Sequence, residues 1–129
     1  MIAELFSAMA QELSTHMMKE ERILFPFVDD MEIAIERGRE IPRSCFDSVE
    51  YPIANMVAEH DDAGAILTRI RELTNNYTAP EGTCATFHAF YQGLADFERD
   101  LHAHIHLENN ILFPRAVAME SQAFSMKSA

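Results

Sequence analysis

The sequence predicts an all-α fold, a helix bundle with three long helices, and three observations carry that expectation. Four Gly and five Pro in 129 residues leave room for few turns, which disfavours a sandwich or barrel. Apolar residues recur in steps of three and four along three separate stretches, the spacing that lines one face of a helix. An eleven-residue phrase occurs twice, HMMKEERILFP at 16–26 and HIHLENNILFP at 104–114. Two of the three stretches therefore contain the same helical segment.

The first helix is expected from about Ala3 to Phe25, with a continuation past Pro26 to Gly38. Its inward stripe is Phe6, Met9, Leu13, Ile23 and Phe27, and His16 and Glu20 fall on the same line. A loop over 38–48 follows, containing Pro42 and a cap at Asp47 or Ser48. The second helix starts near Pro52, a residue tolerated in a first turn. Its stripe holds Ile53, Met56, Val57, His60, Gly64, Leu67 and either Ile66 or Ile70. The segment NNYTAPEGT then breaks the chain with turn formers.

The third helix is expected from about Cys84 to Phe113, continuing to about Met119. Phe87, Phe90, Leu94, Phe97, Leu101, His104, Glu108 and Ile111 form its stripe. Residues 120–129 are expected to be a disordered tail on a single domain spanning 1–129. Pro26 and Pro114 each stand six residues after a glutamate. A proline there lacks the helical N–H and crowds the preceding turn, so both helices should kink or end.

Charge and composition narrow the function. With 48% hydrophobic and 24% charged residues the chain is ordinary for a globular domain. A formal charge of −11 argues against nucleic acid or an anionic lipid surface as a partner, since both attract Lys and Arg. Cys45 and Cys84 lack metal-type spacing and read as free thiols in a reducing compartment. The opening MIAELFSAMAQELS has no basic n-region, and no apolar run approaches the roughly 18 residues a membrane span needs. A cytoplasmic location is expected.

Residues four apart share a helix face, so each copy of the phrase sets an imidazole beside a carboxylate. Both pairs lie on apolar stripes. Burying an unpaired carboxylate costs several kcal/mol or forces it to protonate, and no Lys or Arg is written into the stripes. A bound cation would compensate His16/Glu20 and His104/Glu108 together, with His60 as a further inward ligand. Three imidazoles and two carboxylates suit iron or manganese better than calcium or magnesium. Zinc is the other candidate, although HExxH and cysteine clusters are absent. Carboxylates also bridge metals, so a dinuclear centre is expected. At about 100° per residue, His102 and His106 lie roughly 160° around from His104; with His88 they are expected on a solvated face, as are Glu59 and Asp61, for which the alternative is to orient ligands from beside His60.

The two phrases, with MVAEHDDAG between them, resemble the hemerythrin-like domain of the RIC iron–sulfur-cluster repair proteins, the YtfE/ScdA type, over about residues 3–118. The resemblance implies an up-and-down four-helix bundle, with three of its helices present here, around a non-heme di-iron centre. It implies a role in repairing iron–sulfur clusters damaged by oxidative and nitrosative stress, with damaged iron–sulfur proteins as clients. By matching position, His16 and Glu20 are the ligand pair of the family's second helix, His60 the ligand of the third, and His104 and Glu108 the pair of the fourth. The glutamates are then the bridging carboxylates. The family's bundle has a preceding helix carrying one more histidine, and a further N-terminal segment with cysteines; this sequence starts after both. On that reading an apolar seam stays open, which predicts a homodimer, exchange of helices between chains, or marginal stability.

Two other functions compete with repair. The same centre could bind O2 or NO, or reduce NO or peroxide. From a different class, the chain could be a metal-free helical dimerisation module. No general acid or base beyond the five inward residues is identifiable, so no catalytic residue is assigned.

Overall fold

The computed structural model describes residues 1–40 and 48–128, and every regular element among them is helical. The helices are α1 (Ile2–Lys19), α2 (Phe25–Glu36), α3 (Glu50–Leu73), α4 (Ala85–Leu107) and α5 (Phe113–Ser128). π-turns over Glu20–Leu24 and Glu108–Leu112 join α1 to α2 and α4 to α5 without a break. The result is three rods, the all-α bundle that the periodicity predicts. Pro42, Cys45 and Asp47 lie outside the described residues. No helix among those described is long and apolar enough to cross a membrane.

Of the two outcomes expected at the prolines, a kink or an end, the rods do not end, and the chain continues past both. In each phrase the amide just before the proline, that of Phe25 or Phe113, donates to the carbonyl five residues back, Glu20 or Glu108. This wider turn carries the chain past a residue that has no N–H to give. The helix then resumes with the proline in its first turn, where that loss is harmless.

The extra residue in each π-turn also changes which apolar side chains face inward. Ile23 and Ile111, assigned to the stripes by regular α-helical spacing, are exposed. Leu24, Val28 and Met31 are buried in the first rod, and Phe113 and Ala116 in the third. Phe90 is likewise exposed while Tyr91 is buried; steps of three and four from Phe87 to Leu94 admit either residue, and the packing takes Tyr91.

The core lies in layers along the rods. Leu24, Val28, Met31, Val49, Ile53, Met56, Phe113 and Ala116 pack at one end. Met9, Ala63 and Leu67 form a middle layer, edged by Phe6, Leu13, Phe97 and Leu101. Ile70, Tyr91 and Leu94 close the far end. His60 stands on α3 between Met56 of the first layer and Ala63 of the second, so the inward polar residues form a separate layer between two apolar ones.

Two devices fix how the rods meet. After α3, Asn75, Asn76 and Tyr77 adopt left-handed backbone conformations (φ 50°, 59° and 58°), which asparagine tolerates and tyrosine resists. The Tyr77 N–H donates to Thr74 Oγ1 at 3.0 Å, and its hydroxyl donates to buried Glu98 of α4. Arg71 of α3 pairs with the same carboxylate. At the opposite end, the helix runs through Ser128, whereas sequence placed its end near Met119 and a disordered tail beyond. Glu120 is buried there and reaches the start of α3. Its carboxylate accepts hydrogen bonds from the Val49 N–H (2.7 Å) and the Ser48 hydroxyl (2.6 Å), while Ser48 Oγ accepts the Glu50 N–H (3.2 Å). An anion at a helix N-terminus is favoured by the unpaired amides there.

Replacing Glu120 with Ala should leave the buried Val49 amide without an acceptor and lower unfolding stability by about 1–3 kcal/mol. Urea denaturation of the wild type and Glu120→Ala reads this directly. An unchanged midpoint would show that the contact between the third rod and α3 does not depend on it.

Candidate metal centre

Five elements on three rods converge on the polar layer. α1 supplies His16 and the π-turn after it Glu20; α3 supplies His60; α4 supplies His104 and the π-turn after it Glu108. One potential ligand atom from each of the five lies within 4.8 Å of every other. All five sequence-predicted residues are therefore brought together. His16 and His60 have side chains 1% exposed, Glu20 2% and Glu108 5%, whereas His104 is 32% exposed. The layer is closed on most sides and open at the His104 edge.

All three imidazoles turn Nε2 toward the carboxylates. His16 Nε2 is 2.8 Å from Glu20 Oε1, His60 Nε2 is 2.9 Å from Glu108 Oε1, and His104 Nε2 is 2.7 Å from Glu108 Oε1. Cross-pairs are longer, 3.8 Å from His16 Nε2 to Glu108 and 3.9 Å from His104 Nε2 to Glu20. Two of the outer nitrogens are held from behind. His16 Nδ1 donates to Glu59 Oε2 at 3.1 Å, and Lys19 Nζ donates to the other oxygen of Glu59 at 2.6 Å. His60 Nδ1 donates to Asn109 Oδ1 at 2.9 Å. A proton fixed on Nδ1 leaves the Nε2 lone pair facing inward, as a metal ligand requires. Phe113 stacks on the His60 ring at 5.9 Å between centroids and 11° between planes.

The donor set fits a cation. His16 Nε2, Glu20 Oε1 and Glu108 Oε2 are buried and have no hydrogen-bond partner of adequate geometry among the described residues. Buried polar atoms are normally satisfied, so three orphans within one cluster of nitrogen and oxygen ligands call for a further group between them. Two carboxylates at this spacing repel by about 3–4 kcal/mol at an effective dielectric of 20. The ionisation of the residues reflects that repulsion. Burial disfavours a charged His16, but the adjacent Glu108 and Glu20 carboxylates outweigh it and raise its pKa to about 10. Burial, with Glu108 alongside, holds Glu20 above the usual carboxylate range despite His16. Burial works against ionised Glu108 as well, yet His16 and His60 hold it well below that range.

Not every polar neighbour was legible. Glu59, expected on a solvated face, is half-buried and orients His16; Lys19 and His16 hold its carboxyl below the ordinary value although burial opposes them. Its place beside His60 was the one available signal. Asn109 went unnoticed, because a single Asn after an inward Glu has no periodicity to mark it. The other histidines stand away from the cluster. His102 lies 3.7 Å from Glu98, His106 accepts from Asn110 at 3.1 Å, and His88 is 3.3 Å from Thr83.

Helical rods enclosing three imidazoles and two carboxylates, with ligand atoms close enough to hold a metal ion, have the make-up of a helix-bundle cation-binding protein. The chain belongs to the family described as the hemerythrin HHE cation binding domain, which matches residues 1–116. It is 45% identical over 119 residues to "Iron-sulfur cluster repair protein YtfE" of Pectobacterium atrosepticum, covering 92% of this chain and 48% of that protein. Proteins of the same name from Edwardsiella ictaluri (45% over 116 residues, 90% and 47% covered) and Yersinia pestis (46% over 119 residues, 92% and 48% covered) are similar to it too. The chain spans about half the length of these relatives.

The raised His16 pKa gives a prediction with a definite sign. An imidazole whose pKa rises from 6.5 to about 10 on folding adds stability that is whole below pH 6.5 and disappears as pH climbs through 10. A ligating imidazole must give up that proton, so divalent metal uptake should release protons at pH 7 and tighten as pH rises. Melting of chelator-treated protein and metal titration in weakly buffered indicator dye measure the two trends. Parallel rather than opposed trends would show that His16 is not charged in the metal-free centre.

Proposed function

We propose that this chain holds two non-heme irons through His16, Glu20, His60, His104 and Glu108, with the glutamates bridging. We propose further that it acts in the repair of iron–sulfur clusters damaged by oxidative and nitrosative stress, with damaged iron–sulfur proteins as its clients. One observation carries the reading: two carboxylates buried side by side, with orphaned oxygens, among three imidazoles whose Nε2 atoms converge on them. Imidazole with carboxylate suits iron, and carboxylates bridge metals readily. The names of the half-matched relatives support the repair role. A cytoplasmic location is part of the same proposal.

Bound iron would supply an exchangeable, redox-active Lewis acid. The chain's own part is to fix the ligands and to keep water from most of the layer. Glu59 and Asn109 set the tautomers of His16 and His60, Phe113 braces the His60 ring, and the apolar layers on either side seal the centre. At the one open edge, His104 gives a small molecule or a client a way in. That exposure favours a second reading, in which the centre binds O2 or NO or reduces NO or peroxide.

Anaerobic reconstitution with ferrous iron followed by metal analysis tests the centre, and about two irons per chain are expected. Glu108→Ala and His104→Ala should each cut iron retention sharply and abolish the thermal stabilisation that iron confers. An iron-free product, or exclusive retention of zinc, would sink the reading. For the role, iron-loaded protein should restore activity to a hydratase whose cluster has been damaged by NO, and Glu20→Ala protein should not. Steady consumption of NO by the reduced protein, without restoration, would favour the second reading.

A further inference from the structure

The two copies of the repeated phrase use the residue after the glutamate differently. In the first copy that residue is Glu21, which is exposed and adds nothing to the cluster. In the second it is Asn109, half-buried, with Oδ1 2.9 Å from His60 Nδ1. Glu108, its immediate neighbour, meets the other nitrogen of the same ring, with Oε1 2.9 Å from Nε2. Consecutive helical residues diverge by about 100° around the axis, yet these two grip opposite ends of one imidazole. They do so where the rod widens into the Glu108–Leu112 π-turn. Phe113, which closes that turn by donating its N–H to the Glu108 carbonyl, lies flat against the ring. One short segment of the third rod thus determines the position, tilt and tautomer of a histidine on α3.

From this geometry we propose that Asn109 is a positioning residue for the metal centre, acting through His60, and that its neutrality matters as well as its reach. His16 is backed by the carboxylate of Glu59, whereas His60 is backed by an uncharged amide. A carboxylate behind an imidazole raises its basicity as a ligand, and an amide does so far less. His60 is therefore held in place without the added electron donation that His16 receives, and the two ends of the centre are unequal. The inference rests on the metal reading above.

The test compares wild type, Asn109→Ala and Asn109→Asp for ferrous iron affinity by chelator competition under anaerobic conditions, and for midpoint potential once loaded. Metal-free melting temperature serves as the control for folding. Asn109→Ala should lower affinity about 10–100-fold, and Asn109→Asp, which still accepts the Nδ1 proton, should recover most of it. Asn109→Asp should also shift the midpoint potential to more negative values, since it puts an anion behind a ligand. A wild type that takes up no metal would overturn the metal reading itself. Wild-type uptake with unchanged affinity in Asn109→Ala, or an equal loss in both variants, would overturn the positioning role and leave the centre standing. Restored affinity with an unmoved potential would overturn the claim that the neutral amide matters.

Discussion

Two anions held side by side out of reach of water are the constraint that orders everything else in this molecule. Glu20 and Glu108 belong to different rods and are covered by apolar layers on both sides. Elsewhere the chain shows how it treats a buried carboxylate that has no such task. Glu98 is equally hidden, but Arg71 and Tyr77 approach it directly. No arginine or lysine comes within ion-pair distance of Glu20 or Glu108 among the described residues. Only imidazoles surround them, and imidazoles can either carry protons or release them to serve as ligands. The contrast separates a structural ion pair from a layer built to receive a cation.

The support for that layer comes from a cross-bracing of rods. Adjacent residues on α3 serve different neighbours: Glu59 reaches the histidine of α1, while His60 reaches the third rod and is itself held by Asn109. His16 and His60 are thus each oriented by a rod other than their own. Such ligands keep their geometry only while the rods stay in register. The Glu120 contact to the start of α3 and the Tyr77–Glu98–Arg71 cluster therefore matter to the centre although neither touches it.

Much of this was legible in the sequence. The repeated phrase and its place on apolar stripes were enough to select five residues from three distant stretches, because the cost of an uncompensated inward glutamate is independent of the details of packing. The helical stretches were legible for a similar reason: a period near 3.6 written over twenty residues is hard to mistake. What stayed hidden depended on local departures from that period. Ile23 and Ile111 were placed inward by regular spacing, and the π-turns put them outside. Asn109 and the full role of Glu59 depend on three-dimensional approach between rods, for which one residue in one stretch leaves no pattern. Glu120, just past the expected helix end, finds the Val49 amide and the Ser48 hydroxyl more than seventy residues earlier in the chain, a pairing that no window of sequence contains.

The widened turns make the spacing between ligand and core uneven along the first and third rods. Upstream of Glu108 the buried positions follow one phase, and from Phe113 onward they follow another, offset by one residue. Were residues 108–112 to close as an ordinary α-turn with none removed, all that follows would rotate by about 100° relative to the ligands. Phe113 would swing off His60, and Glu120 would leave the start of α3. In these two short windows the wide turn itself, by taking up one extra residue, keeps the ligands and the downstream core on the same side of the rod.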